Sequence, residues 1–337
     1  MKNKKFLIVR IVIILLTIVS LIWIELYQRE LLKEEQRLLE EKKNEVTEDV
    51  VKDAAKLYIS NNPNYYSELL KEDLEIRINT DNLVKTKLIN DNNNFKGYIS
   101  VIDDEFKFVK VDNMLINNIS DKDYESNSNN EKEAYDIKYY YKGEDPKNYI
   151  KVNNKLYRII GITNSNDFKL ISTENDVLEK WGLSGDINYL KTDNVVTEDG
   201  YKGIFYVGYV RSETKDVSSI IKNEKRNNTY TVGNPKYVGL YSYVNVSDIV
   251  NASSNCDYNS ITNIKKEKCA SYLINMLINS YTSNSLENNQ VYKVNEKGEI
   301  IPSKIESNIN IKKVIYISGY SEYKGGNGTK ENPYEIK

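Results

Sequence analysis

The chain has 337 residues and a formal net charge of −2 at neutral pH, because 47 Lys and Arg residues are balanced by 49 Asp and Glu residues. Both signs are interspersed along the sequence, so there is no basic face for nucleic acid and we expect no nucleic-acid partner. The chain contains no histidine, which removes the commonest general base and the commonest neutral metal ligand, and we expect no catalytic residue, cofactor or metal.

The amino terminus has the pattern of a signal anchor. Three lysines within the first five residues precede an apolar run that begins at Phe6 and ends at Ile24. A bilayer core needs about 20 apolar residues in a helix, and the run reaches this length if Arg10 extends its guanidinium to the near interface. Positive charge on the amino-terminal side predicts a cytoplasmic tip and transmembrane anchor over residues 1–24. Membrane lipid would surround residues 6–24, and the rest of this single-pass protein of the cell membrane would be extracellular.

Two other interpretations of the apolar run are less favoured. A cleaved signal peptide has an apolar region of about 7–15 residues and a small-x-small cleavage site, whereas this run is longer and residues 22–26 offer no such site. A prepilin would carry Gly-Phe-Thr-Leu-Ile-Glu at the start of its helix, which residues 5–10 lack. We therefore expect neither processing nor polymerisation as a true pilin.

Residues 25–46 predict a charged helical stalk. Leu32, Leu39 and Val46 recur at seven-residue spacing among Glu, Lys and Arg. A coiled coil requires such a pattern over three or four heptads, so two interpretations stay open. The stalk either associates weakly with a second copy or only holds the following domains away from the lipid, and the second is favoured.

Residues 47–111 predict a small α+β unit. Thr47 is a suitable cap for a helix that ends at the Asn-Asn-Pro sequence of residues 61–63. Residues 97–102 and 106–111 alternate in polarity around an acidic turn, as expected for a β-hairpin.

Parts of this small unit resemble the membrane-proximal region of pilin-like surface proteins from low-GC bacteria. The similar segments are AAKLY at 54–58, NLV at 82–84 and KGYI at 96–99. The resemblance implies a helix and a small sheet next to a membrane anchor.

Residues 112–134 predict a linker, since Asn, Ser, Asp and Lys dominate and there is little to bury apart from residues 114–116. Acidic residues alternate over residues 121–127 and suggest a calcium loop. However, Ser126 and Lys132 stand where an EF-hand loop needs Gly and Glu. A solvated linker is the favoured interpretation.

Residues 135–337 predict a β-rich domain. The strand-like segments are 148–152, 156–162, 168–171, 203–210, 237–241, 290–294 and 312–317, and residues 247–250 start a helix. Cys256 and Cys269 would lie outside the membrane, where a pair can form a disulfide. Two separate buried thiols are the alternative, and zinc is disfavoured because two Cys cannot complete the usual structural site. We expect a structural disulfide.

An ordered series of motifs runs through this domain. The motifs are YYKG at 140–143, NYI at 148–150, LYRIIG at 156–161, YVGL at 237–240, SDI at 247–249, SYL at 271–273, VYKVN at 291–295, KVIYI at 313–317 and GNGTKENPY at 326–334. The series resembles an uncharacterised bacterial surface-domain family related in pattern to FISUMP and DUF6273-type modules, which are similar to C-type-lectin-like folds.

The resemblance implies a C-type-lectin-like surface domain over residues 135–337, but not a sugar site. A carbohydrate-binding C-type lectin carries Glu-Pro-Asn or Gln-Pro-Asp, and this chain has Glu-Asn-Pro at 331–333. The ligand-binding residues are therefore not assigned.

Few other residues suggest chemistry. Arg158 either anchors a buried carboxylate or faces water, and Trp181 either stacks on a sugar ring or, as we favour, fills a core. Asp193, Glu198 and Asp199 offer paired carboxylates for glycoside hydrolysis, although such pairs are expected by chance in this composition.

The glycine-rich tail at residues 325–328 predicts a turn before the last strand. It lacks the Lys-Ser/Thr pair and the following helix of a phosphate loop.

Together these observations predict an α+β protein with an N-terminal transmembrane helix and stalk, a small helix-plus-hairpin unit and a β-rich C-type-lectin-like domain. We expect a membrane-anchored extracellular surface protein that recognises a surface glycan or protein ligand, or acts in adhesion, without catalysis. The alternative is a pilin-like or scaffold component of a cell-envelope assembly. An enzyme acting on surface glycans is a third hypothesis, which the absence of histidine disfavours.

Overall fold

The structure is a computed structural model with an α+β fold that is rich in β-sheet and has few helices. It describes residues 20, 23–31, 33–34, 46–63, 75–119, 125–126, 137–163, 166–180, 203–206, 209–210, 215–225, 236–239, 241–286 and 290–337. The α+β class predicted from the sequence is therefore confirmed.

The predicted anchor falls mostly outside the described residues, which include only residues 20, 23 and 24 of the apolar run. Residues 23–31 and 33–34, which span the end of this run and the start of the predicted stalk, are helical. Within the described residues, no helix is both long and apolar enough to span a membrane. The anchor stays a prediction.

The small unit packs two helices with a three-stranded antiparallel sheet in the order β1-β2-β3. Its elements are α1 (Glu48–Asn61), β1 (Ile76–Asn79), α2 (Thr80–Lys85), β2 (Gly97–Ile102) and β3 (Glu105–Lys110). The core consists of ten buried aliphatic residues: Val46, Val51, Ala54, Ala55, Ile76, Ile78, Leu83, Ile89, Ile99 and Val101.

Local sequence explains where these elements begin and end. The side chain of Thr47 accepts a hydrogen bond from the backbone N–H of Val50 at 3.3 Å, and this cap starts α1 as predicted. The predicted hairpin is also present, since β2 and β3 pair antiparallel. In its turn, Asp103 and Asp104 adopt φ values of +48° and +61°. Two successive positive φ values produce a turn whose twist matches that of paired strands.

The C-terminal region is built mainly from strands. Its strands are β4 (Glu125–Ser126), β5 (Ile137–Tyr140), β6 (Tyr149–Val152), β7 (Lys155–Thr163), β8 (Asp167–Ser172), β9 (Asp176–Lys180), β10 (Gly203–Tyr206), β11 (Tyr209–Val210), β12 (Lys236–Gly239), β13 (Ser242–Tyr243), β14 (Tyr281–Leu286), β15 (Gln290–Val294), β16 (Ile300–Lys304), β17 (Ser307–Ile311), β18 (Lys313–Ser318), β19 (Tyr323–Gly325) and β20 (Tyr334–Ile336). Its helices are α3 (Val217–Lys225), α4 (Val246–Ala252) and α5 (Tyr272–Met276).

A nine-stranded sheet organises this region, in the order β13-β18-β8-β7-β6-β20-β19, with β5 paired to β7 and β4 paired to β5. The long strand β7 pairs with β6 through its first residues and with β5 through its last ones. A second sheet has the order β11-β14-β15-β16, and two-stranded pairs join β9 to β17 and β10 to β12. The strands expected near residues 148–152, 156–162, 168–171, 290–294 and 312–317 are all present.

The start of the predicted linker packs onto the C-terminal region. Residues 115–117 form a short 3₁₀ helix, and Leu115 and Ile119 are buried in the main core. Met114 pairs with Glu322 in an isolated β-bridge. The boundaries of the linker stay a prediction, since residues 120–124 and 127–136 lie outside the described residues.

Candidate functional site: a cavity where the two units meet

A buried polar contact joins the small unit to the large sheet. Asn79, at the end of β1, is only 1% exposed. Its side-chain amide donates to Oδ1 of Asp167 at 3.2 Å, and its side-chain oxygen accepts from Oγ of Ser318 at 2.7 Å. Asp167 and Ser318 are paired neighbours on β8 and β18. Because buried amides require partners, Asn79 fixes the end of β1 against this edge of the sheet.

A second contact runs along the main chain. The N–H groups of Leu115 and Ile116 donate to the carbonyl oxygens of Ser321 and Gly319 at 2.9 and 2.8 Å. Backbone hydrogen bonds of this kind set the register between two segments. Residues 113–116 and 319–323 therefore form a continuous seam beside the Asn79 contact.

A cavity of about 350 Å³ opens beside this seam, and we call it the junction cavity. Its apolar lining consists of Val111, Met114, Ile116 and Tyr320. Its polar lining consists of Asp81, Asn93, Lys96, Asp112 and Asn117. Tyr320 comes from the C-terminal region and the other lining residues come from residues 81–117, so the cavity exists only where the two parts of the chain meet.

Lys96 carries the central positive charge of the cavity wall. Its ammonium lies 2.6 Å from Oδ1 of Asp91 and 3.4 Å from Oδ1 of Asp81. Burial acts to lower the pKa of Lys96, but the hydrogen bond with Asp91 and the negative charges of Asp81 and Asp91 outweigh it and raise that pKa above its ordinary value. Lys96 is therefore cationic across the neutral range and is paired on two sides.

Tyr320 forms the part of the floor that the C-terminal region contributes. The residue is 1% exposed, and its hydroxyl accepts a hydrogen bond from the side-chain amide of Asn166 at 3.3 Å. Burial raises the pKa of Tyr320, and the neighbouring carboxylate of Asp81 raises it further. The phenol is therefore neutral and acts as a fixed wall rather than as a base.

The predicted disulfide between Cys256 and Cys269 is confirmed, with the two Cα atoms 5.0 Å apart. The loop that it closes is anchored by Ile261 and Ile264, which are buried in the main core. The hydroxyl of Tyr258 donates to the carbonyl oxygen of Ser253 at 2.6 Å. None of the residues that line the junction cavity belongs to the loop that the disulfide closes.

Arg158 is held by aromatic rings rather than by a buried carboxylate or by water. Its guanidinium lies 4.3 Å from the ring centroids of both Tyr149 and Tyr272. Its Nε donates to Oδ1 of Asn148 at 2.7 Å, whereas the carboxylate with which it pairs, that of Asp145 at 3.4 Å, is largely exposed. Burial lowers the pKa of Arg158. The side chain fixes the segment before β6 and is not free to bind a ligand.

The glycine-rich tail forms the predicted turn. Gly326 has a φ of +97°, and a Cβ at this position would overlap the carbonyl group of Pro333. The carbonyl oxygen of Gly328 accepts from the N–H of Tyr149 at 2.8 Å. The turn thereby places β20 parallel to β6 inside the large sheet.

Several residues considered from the sequence lie outside the described residues, namely Trp181, Asp193, Glu198, Asp199 and most of the acidic segment 121–127. In the described part of the chain, no group of three or more Cys, Asp or Glu side chains is arranged to hold a metal ion.

Sequence reasoning did not identify the junction cavity. The one available signal was the short apolar stretch at residues 114–116 inside an otherwise polar segment, because a linker has no need to bury such residues. Nothing in the local pattern around Asp81 or Asn79 indicated their contacts with residues 167–320.

No family model matches this chain, and comparisons with curated proteins and with solved structures also find no match. The fold and the cavity define an α+β protein with a polar pocket between two packed units. The resemblances to pilin-like proteins and to FISUMP-type, C-type-lectin-like modules stay predictions from motif order.

Proposed function

We propose that this protein is held in the cell membrane by a single amino-terminal span and that its extracellular part recognises a surface glycan or protein ligand without catalysis. The observation that carries the proposal is the junction cavity. Its lining combines four apolar with five polar residues, and its volume of about 350 Å³ lies within the range of roughly 300–1,000 Å³ common for small-ligand sites.

The sequence and the disulfide support the location. The basic residues before the apolar run favour a cytoplasmic amino terminus. Disulfides persist in oxidising compartments, and the bond between Cys256 and Cys269 suits a domain exposed outside the cell. The lectin-like motif order over residues 135–337 is consistent with a domain that faces outward.

The chemistry of the cavity supports recognition rather than turnover. Lys96 is paired with Asp81 and Asp91, so its ammonium is protonated and is a poor nucleophile. Tyr320 has a raised pKa and keeps its proton at neutral pH. With no histidine in the chain, the groups that line the cavity are suited to hydrogen bonding.

The test uses the full-length protein in detergent micelles, presented to an array of immobilised glycans and to surface proteins from neighbouring cells. We expect saturable binding to at least one panel, with empty micelles as the control. Intact cells that display the protein should also lose residues beyond 45 to added protease. Absence of binding to both the glycans and the surface proteins would contradict the proposal. It would favour the alternative, a pilin-like or scaffold component of a cell-envelope assembly.

A further inference from the structure

We infer that the junction cavity binds a neutral, hydroxyl-rich ligand of the kind presented by a terminal sugar residue of a surface glycan. This inference rests on the proposed function and deepens it, because it selects a glycan over a protein and assigns the site. Its size supports a small ligand, since about 350 Å³ lies within the range of roughly 300–1,000 Å³ common for such pockets.

The charges around the cavity favour a neutral ligand. Lys96 is already paired with Asp81 and Asp91, and Asp112 lies 3.3 Å from the ammonium of Lys110. An anion would have to displace the carboxylates that already pair with Lys96. It would also meet net negative charge, because the three Asp side chains outnumber the two Lys side chains. A cation gains little from Asp112, because its side chain is 84% exposed and water screens its charge.

The hydrogen-bonding groups on the rim match hydroxyls. Asn93 and Asn117 line the cavity, and neither side-chain amide forms a hydrogen bond within the described residues. Each amide offers both donors and an acceptor, and a hydroxyl is likewise donor and acceptor. The ammonium of Lys96 has three N–H groups, of which two face Asp81 and Asp91. One donor therefore remains for a ligand.

The floor supplies an apolar surface under these polar groups. Val111, Met114 and Tyr320 form one buried cluster, and the half-buried side chain of Ile116 packs against it at the cavity. A sugar ring has hydroxyls at its rim and C–H groups on its faces, so it can place C–H groups against the exposed part of Ile116 while its rim meets the amides. The same floor would disfavour a fully charged group because burying charge is costly.

The site depends on both parts of the chain, since Met114 and Tyr320 meet only along the seam between residues 113–116 and 319–323. A ligand that contacts both sides binds only the packed arrangement and stabilises it by mass action. Glycan binding should therefore raise the melting temperature of the full-length protein.

The test compares two matched tryptophan variants in the full-length protein. Asn93 and Asn94 are adjacent, exposed residues of the 3₁₀ helix at Asn93–Phe95, and only Asn93 lines the cavity. We expect Asn93→Trp to fill the entrance and weaken binding on the glycan array by at least about tenfold. Asn94→Trp should bind like the wild type. Asn117→Ala provides a second, smaller change that should also weaken binding.

The outcomes separate this inference from the proposed function. Glycan binding that Asn93→Trp and Asn117→Ala leave unchanged would overturn the site while the proposed function stands. Binding to proteins alone, or competition by inorganic phosphate, would overturn the ligand class. If the wild-type protein binds neither glycans nor surface proteins, both the inferred site and the proposed function are overturned. Melting curves of the variants, compared with the wild type, establish that each is folded.

Discussion

A buried ion pair joins the large sheet to one of the helices of the C-terminal region. The ammonium of Lys169, on β8, lies 2.8 and 2.7 Å from the two carboxylate oxygens of Asp248, and both side chains are almost fully buried. Oδ2 of Asp248 also accepts from the N–H of Asn245 at 2.9 Å and so caps α4. The pair thus joins a central strand to a buried helix, and each charge depends on the other.

We predict that Lys169→Met destabilises the protein by about 3–5 kcal/mol, because it leaves the carboxylate of Asp248 buried without its counter-ion. Urea denaturation followed by circular dichroism measures this change. The matched control is Lys151→Met, which removes an exposed pair with Glu335 at 3.5 Å and should cost no more than about 1 kcal/mol. Equal losses in the two variants would contradict the prediction.

At the scale of elements, local sequence signals predict some helices and strands, whereas other strands depend on contacts between residues distant in the chain. The cap at Thr47 and the turn at Asp103 and Asp104 act within a few residues, so α1 and the hairpin follow from the sequence. Strand β14 did not stand out, since its residues Thr282, Ser283 and Asn284 are polar yet buried. Their hydrogen-bond partners include residues distant in the chain. The hydroxyl of Ser283 donates to Oδ1 of Asn245 at 2.8 Å, a contact that no local sequence pattern predicts.

The disulfide loop gives a prediction at this scale. Replacing Cys256 and Cys269 together by Ser should lower the free energy of unfolding by about 3 kcal/mol, the value expected for a loop of this size in the chain-entropy model. The unfolded chain gains freedom when the loop is opened, while Ile261 and Ile264 keep their places in the core.

Reduction of the wild-type protein should reproduce the effect of the double substitution. Peptide mass analysis with and without reductant provides the control, because the linked peptide must separate on reduction. Unchanged denaturation curves in both cases would sink the prediction.

At the scale of the whole molecule, burial of tyrosines determines how stability responds to pH. Burial raises the pKa of both Tyr272 and Tyr320. In the unfolded chain a phenol loses its proton near about pH 10, whereas the folded protein keeps these two protonated to higher pH. The unfolded state then binds fewer protons than the folded state, so the free energy of unfolding falls as pH rises.

Lys96 and Lys312 modify this pH dependence in opposite directions. Lys96 has a raised pKa, so the stability it contributes is present below the pKa of the unfolded lysine and is lost as pH rises through the folded value. Burial lowers the pKa of Lys312, with partial compensation by Asp176 and Glu174, so its contribution rises with pH. As pH rises, the two buried tyrosines and Lys96 lower the free energy of unfolding, whereas Lys312 raises it.

We therefore predict a flat free energy of unfolding from about pH 6 to 9 and a steep fall above about pH 10. The flat range follows from the absence of histidine. Urea denaturation at a series of pH values provides the measurement. Tyr272→Phe is the control, and it should reduce the alkaline slope by up to about 1.4 kcal/mol per pH unit. Constant stability up to pH 12 would exclude this mechanism.

The sequence by itself determined the features that depend on neighbouring residues or on simple composition. These include the helix capped by Thr47, the β-hairpin, the β-rich character of residues 135–337 and the pairing of Cys256 with Cys269. Hydrophobic alternation, capping and turn residues carry this information over a few positions, and the two cysteines of the chain have only each other as partners within it.

The tertiary structure alone decided the junction cavity. It brings Asp81 and Tyr320 to one pocket and Asn79 to Asp167 and Ser318, across long distances in the chain. The physical reason is that such contacts arise when complete elements pack, and buried polar groups then find partners according to shape and hydrogen bonding. No pattern of neighbouring residues in the sequence encodes these contacts, so the cavity is defined only in the folded arrangement.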